Sequence, residues 1–135
     1  EGSYVLEPSC GCGRILDALT AKGCKAFGVE VDAGRAQEAR DKGHSVICAN
    51  FLELQPNPVY DFVVMNPPFY GTHYGKHIEH AKKFLKDKGT LISVLPVTAR
   101  YDHGLLPNGR WIDLPVGSFR ESGTNINTTI YMTGK

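Results

Sequence analysis

Short apolar runs alternate with amphipathic stretches along most of the chain, and that rhythm predicts repeated strand-helix units. Tyr4-Val5-Leu6 reads as a first strand. Arg14 to Lys22 reads as a helix burying Ile15, Leu16 and Leu19, closed by Gly23. Ala26 to Val29 gives a second strand, the alanine-rich stretch Ala33 to Lys42 a second helix stopped by Gly43, and Ser45 to Cys48 a third strand. Tyr60 to Met65 is a fourth strand. Ile78, Ala81 and Leu85 share a face at i, i+3, i+7 spacing, with Phe84 beside them, so the next helix is expected over His77 to Lys86 and is ended by Gly89. Thr90 to Leu95 then supplies a fifth strand.

The tail breaks the rhythm. Trp111 to Phe119 and Ile126 to Met132 are both strand-like, and residues 121–125 between them leave no room for a helix, so an antiparallel hairpin is expected. The whole pattern predicts an α/β fold: a Rossmann-like, seven-stranded, mostly parallel sheet with a C-terminal antiparallel hairpin and helices on both faces. At 135 residues and 41% hydrophobic content, residues 1–135 are expected to form a single domain with no separate recognition domain.

Charge and cysteine content narrow the chemistry. The net charge is +1, so any nucleic-acid contact must come from a local patch or a partner. No stretch of about 18 apolar residues indicates a membrane span, and no charged-then-apolar signal opens the chain. Cys10, Cys12, Cys24 and Cys48 lack paired zinc spacing, so no metal site is expected. Free thiols without a disulfide pattern fit a cytoplasmic location.

Asn66-Pro67-Pro68-Phe69 directly follows the fourth strand. Neither proline has a backbone N–H to give, so the strand must stop there. What remains at its carboxyl end is an amide, a rigid carbonyl-presenting turn and an aromatic face, in the region where open α/β sheets bind ligands. That set suits a planar, amine-bearing substrate. After the first strand comes Glu7-Pro8-Ser9-Cys10-Gly11-Cys12-Gly13, whose alternating glycines let the backbone approach a ligand closely. Seventeen residues past Gly13 stands Glu30, placed for a carboxylate to accept ribose hydroxyls. A dinucleotide site would want a third glycine near position 16, which is Leu16, and the acid Glu7 would repel a pyrophosphate. Glu7 suits a cationic amino-acid end instead, so the expected cofactor is S-adenosylmethionine.

These segments, with Asn50-Phe51-Leu52, resemble in order motifs I to IV of class I S-adenosylmethionine-dependent amino-methyltransferases, especially the N6-adenine nucleic-acid enzymes. Phe119 to Thr124 is similar to the segment entering that family's last strand. The resemblance implies a cofactor set of Glu7, Pro8, Ser9, Cys10, Gly11, Gly13, Glu30, Val31, Asn50, Phe51 and Asn66. Within it, Glu7 and the glycine turn hold the methionine portion, Glu30 the ribose, and Asn50 and Phe51 the adenine. The family usually has Asp where this chain has Asn50. The catalytic set implied is Asn66, Pro67, Pro68 and Phe69. The Asn66 side-chain oxygen and the Pro67 carbonyl would each accept one N–H of the target amine, and Phe69 would stack on the base.

The activity implied is methyl transfer to the N6 amine of adenine, in DNA rather than RNA, with a duplex base flipped out first. The same tetrapeptide also holds other planar amines, so ribosomal RNA or a protein glutamine is the alternative acceptor. A cofactor-binding subunit that needs a partner chain for target recognition is a further alternative. Tyr70, His73, Tyr74 and His77 form a polar aromatic loop segment beside the expected site. The lysine run Lys76, Lys82, Lys83, Lys86 and Lys88 reads as solvated surface, whereas Arg100, Arg110 and Arg120 are better placed for backbone phosphates.

Overall fold

The computed structural model describes residues 2–10, 13–65, 73–96, 109–113 and 128–134. Within these, seven strands form one sheet: β1 (Tyr4–Glu7), β2 (Lys25–Glu30), β3 (Ser45–Cys48), β4 (Tyr60–Met65), β5 (Leu85–Pro96), β6 (Arg110–Asp113) and β7 (Thr128–Gly134). The helices are α1 (Arg14–Ala21), α2 (Ala33–Asp41) and α3 (His73–Lys82), with a short 3-10 turn at Phe51–Glu53. The strand order is β3-β2-β1-β4-β5-β7-β6. The first five strands pair in parallel; β7 pairs antiparallel with both β5 and β6. This is the Rossmann-like arrangement that the alternating pattern predicts.

Strand alternation assigns each face. Leu6, Val29, Val63, Met65, Leu91, Leu95 and Tyr131 point to one side, where Ile78 and Ala81 of α3 join them in the larger core. Leu16 of α1 and Ala36 and Ala39 of α2 form a second cluster on the other side with Cys10 and Val46. Both α1 and α2 pack chiefly on β1 to β3. On that same side of the far strands, Val64, Ile92, Val94 and Ile130 are only half-buried, while Phe62 and Ile112 are exposed. The sheet is therefore sealed on one face and only partly covered by the described helices on the other.

Three expectations shift. The third helix runs His73–Lys82, four residues earlier at each end than the periodicity suggests. Phe84 and Leu85 are buried as expected, but Phe84 lies in a turn, with its ring 5.1 Å from that of Phe51, and Leu85 already pairs with Tyr60 in the sheet. A helix face and an inward strand residue look alike over so short a run. Gly89 correspondingly is no helix stop. Pairing moves from Tyr60↔Leu85 to Phe62↔Thr90, so β5 bulges, with Lys88 at φ 68° and a Cβ on Gly89 meeting the Lys86 carbonyl at 2.9 Å. The hairpin is present, yet its described strands are shorter on the first side and start later on the second; residues 114–127 lie outside the described residues. Of the residues expected to be buried on α1, Leu16 is fully enclosed, and Ile15 and Leu19 are half-buried.

Asp61, opposite the bulge, accepts the Tyr4 N–H at 2.9 Å and pairs with Lys86 at 3.3 Å. These contacts, the Tyr4 amide foremost, hold its carboxyl below the usual carboxylate range. Asp17 is lowered likewise by hydrogen bonds from Lys42 and His44. Both carboxylates bind protons less tightly folded than unfolded, so their stabilisation is complete above the unfolded value of about 3.9 and fades as pH falls through the lower folded values. Thermal melts should show a drop in midpoint below about pH 4 that is shallower in Asp61→Asn. Separately, a Cβ at Gly28 would sit 2.7 Å from Cys10 Sγ and 2.9 Å from Leu16 Cδ1. Gly28→Ala is expected to cost about 1–3 kcal/mol, read as a lower urea midpoint with an unchanged slope.

Candidate functional site

Because β1 to β5 run parallel, their carboxyl ends lie along one edge of the sheet. The chain winds outward from β1 to β3 and then returns to β4 on the other side of β1, so the order reverses between β1 and β4. Crossovers leave in opposite directions there, and the gap between them is where open α/β sheets hold ligands. Glu7 ends β1, Glu30 ends β2 and Met65 ends β4 at this edge.

Glu7 is wholly enclosed and Glu30 is 6% exposed. Glu7 is level with Gly28, which puts the Cα atoms of the two acids about 8 Å apart at ordinary strand spacing and rise. Glu30 Oε2 accepts the Asp32 N–H at 2.9 Å, and Asp32 in turn caps α2 by accepting the Arg35 N–H at 2.9 Å. This pair of bonds turns the chain sharply out of β2 and leaves Val31 between them 69% exposed. An apolar side chain so open to solvent, at the ligand edge of a sheet, offers a flat molecule something to rest on.

On the β1 side, Pro8 is buried and Ser9 half-buried. Cys10 donates its N–H to the Val29 carbonyl at 3.0 Å and packs its side chain inward against Gly28, so only its backbone borders the turn. Gly13 has φ 98°, a left-handed conformation that a side chain rarely adopts, and opens α1 by accepting the Asp17 N–H at 2.8 Å. Gly11 and Cys12 lie outside the described residues.

Beyond β3, Ala49 donates to the Glu30 carbonyl at 3.0 Å, which draws the start of the 3-10 turn to the same edge. Asn50 is exposed; its Oδ1 accepts the Leu52 N–H at 3.0 Å and its Nδ2 reaches Glu53 Oε2 at 3.4 Å. Phe51 is 3% exposed, its ring enclosed by His77, His80 and Phe84 at centroid distances of 6.2, 4.9 and 5.1 Å. Its ring thus belongs to the core, and it anchors the Asn50 turn to α3; His80 adds a contact to the Leu54 carbonyl at 3.0 Å. Asn66, Pro67, Pro68 and Phe69 lie outside the described residues.

The structure therefore brings Glu7, Pro8, Ser9, the Cys10 backbone, Gly13, Glu30, Val31 and Asn50 to one edge. It adds Asp32, which orients Glu30 and which the sequence reading passed over. Its signal was legible, an aspartate immediately before the first residue of a helix. Elsewhere, Lys76, Lys83, Lys86 and Lys88 are exposed as expected while Lys82, the last residue of α3, is half-buried, and Trp111 packs on Tyr131 with ring centroids 4.7 Å apart. Arg110 is exposed on β6, while Arg100 and Arg120 lie outside the described residues. No three His, Cys, Asp or Glu side chains among the described residues group as metal ligands, and no described helix is long and apolar enough to cross a membrane.

Comparison with solved structures shows the same fold in proteins of low sequence identity. A candidate class I S-adenosylmethionine-dependent methyltransferase from Listeria monocytogenes superposes with a TM-score of 0.75 at 20% identity, over 96% of this chain and 52% of that one. A predicted O-methyltransferase from Agrobacterium tumefaciens gives 0.75 at 16% identity, over 98% and 73% of the two chains. Geranyl diphosphate C-methyltransferase from Streptomyces coelicolor, solved with S-adenosyl-L-homocysteine, gives 0.68 at 11% identity, over 96% and 72%. The chain spans about half the length of the Listeria protein. Sequence carries the assignment further than these superpositions do. Residues 2–99, from before β1 to beyond β5, match one family model, and the chain belongs to that family, described as "Uncharacterised methyltransferase family (DUF6094)".

Proposed function

We propose that this chain binds S-adenosylmethionine at the β1–β4 edge and transfers its methyl group to the N6 amine of adenine in DNA. The observation that carries the cofactor part is the pair of enclosed carboxylates, Glu7 and Glu30, at the ends of adjacent strands beside the Gly13 turn. The donor set fits the group. A carboxylate at the glycine turn complements an ammonium, a carboxylate at the end of β2 accepts ribose hydroxyls, and exposed Val31 offers an apolar surface to a purine. Asp32 keeps Glu30 oriented for that task. When bound, the cofactor supplies an electrophilic methyl on a sulfonium.

The chain's own part is to position the amine. Met65 ends β4 beside β1, and Asn66 to Phe69 come next in the sequence. In this reading the Asn66 amide oxygen and the Pro67 carbonyl each accept one N–H of the target amine. Acceptance at both hydrogens draws the nitrogen toward tetrahedral geometry and turns its lone pair outward, away from delocalisation into the ring. Phe69 holds the base by stacking, a contact worth about 1–3 kcal/mol in comparable sites. In the same reading a partner chain supplies target recognition beside the chain's own short loops.

Calorimetry with S-adenosyl-L-homocysteine should show binding by the wild-type chain, weakened about tenfold or more in Glu30→Ala, because a hydrogen bond to a charged group contributes about 1.5–3 kcal/mol. A melt of the variant checks that the Asp32 cap has not unfolded α2. Transfer of a tritiated methyl group should label N6 of adenine in DNA, and Asn66→Ala should lower kcat by about 100-fold or more, the scale of losing one positioned polar group. Labelling of RNA or of peptide glutamine instead would reassign the acceptor. Cofactor binding without labelling of any polymer would favour a subunit that works only with its partner.

A further inference from the structure

His44 follows α2 and lies outside every motif that the sequence singles out, yet its ring packs directly against the turn that opens α1. A Cβ built on Gly13 would come within 3.0 Å of His44 Cδ2. The same ring places Nε2 2.6 Å from Asp17 Oδ1, one turn into α1. Lys42, two residues earlier, reaches Asp17 Oδ2 at 2.7 Å. The two contacts differ in environment: the His44 side chain is 7% exposed, whereas those of Lys42 and Asp17 are 40% and 48% exposed. The lysine pair is open to water and screened, so the histidine carries the link.

Resting on the cofactor reading above, we propose that His44 is a positioning residue: wedged beneath Gly13 and tied to Asp17, it fixes the start of α1 and with it the glycine turn that receives the cofactor's amino-acid end. Gly13 takes its left-handed conformation with its N–H on the Cys10 carbonyl at 3.0 Å and its own carbonyl on the Asp17 N–H. Asp17 is thus held twice, by backbone to Gly13 and by side chain to His44. Movement of the turn would have to break one of these or displace the ring. No atom of His44 is required to touch the ligand. Among the described residues, the ion pairs at this point join Asp17 on α1 to His44 and to Lys42 in the turn after α2.

The test is calorimetric titration with S-adenosyl-L-homocysteine at one fixed pH. His44→Ala should raise Kd about tenfold, and His44→Gln, which keeps a donor for Asp17, should recover most of that loss, a rescue that a merely space-filling ring would not show. If His44→Ala does not fold, Asp17→Asn, at an exposed position, carries the test and should likewise raise Kd. Binding with the same Kd in all variants overturns the positioning role while leaving the cofactor reading intact. Absence of binding by folded wild type overturns the cofactor reading, and this inference with it.

Discussion

The seam between β1 and β4 is the constraint from which the site follows. Val5 pairs with Phe62 and Leu6 with Val63, far apart in sequence, and this pairing places β4 on the opposite side of β1 from β2. Once it forms, right-handed crossovers send the early helices and α3 to opposite faces of the sheet. The carboxyl ends of β1 and β4 then lie side by side where the strand order reverses, the place at which open α/β sheets hold ligands. Glu7 ends β1 at that point.

Residues at the rim answer to two demands at once. A carboxylate removed from water is costly without polar partners, so packing alone would not select Glu7 or Glu30 at the ends of adjacent strands. Glu30 meets part of the cost by accepting the Asp32 N–H, the same bond that turns the chain into α2. Gly28 serves the opposite need, giving space on β2 for Cys10 and Leu16 to pack and so bringing the start of the turn against the strand. Close packing behind the turn and polar groups in front of it are thus supplied by neighbouring residues of one strand.

The two faces of the sheet are unequally enclosed, and the difference follows the same seam. Val63, Met65, Leu91, Leu95 and Tyr131 are almost completely buried on the α3 side, while their alternating neighbours remain partly open. Packing on the closed side is aromatic at its upper end, where Phe51, His77, His80 and Phe84 interlock. That cluster ties the turn after β3 to α3, the helix that follows the segment carrying Asn66 to Phe69.

Periodicity, glycine placement and the ends of apolar runs were enough to determine the alternating order of strands and helices, the antiparallel tail and the position of Glu7 and Glu30 at strand ends, because each is encoded in residues that are neighbours along the chain. Where two structures bury the same residues, local pattern was silent: Phe84 and Leu85 satisfy a helix face and a turn into a strand equally well, and only pairing of Leu85 with Tyr60 settles which forms. Phe51 was legible as an aromatic at the site edge but not as a core residue, since its enclosure comes from α3. His44 gave no signal at all, because a lone histidine after a helix acquires meaning only when folding brings Gly13 and Asp17 against it. Tertiary structure decided these points because each depends on contacts between segments that the order of residues does not bring together.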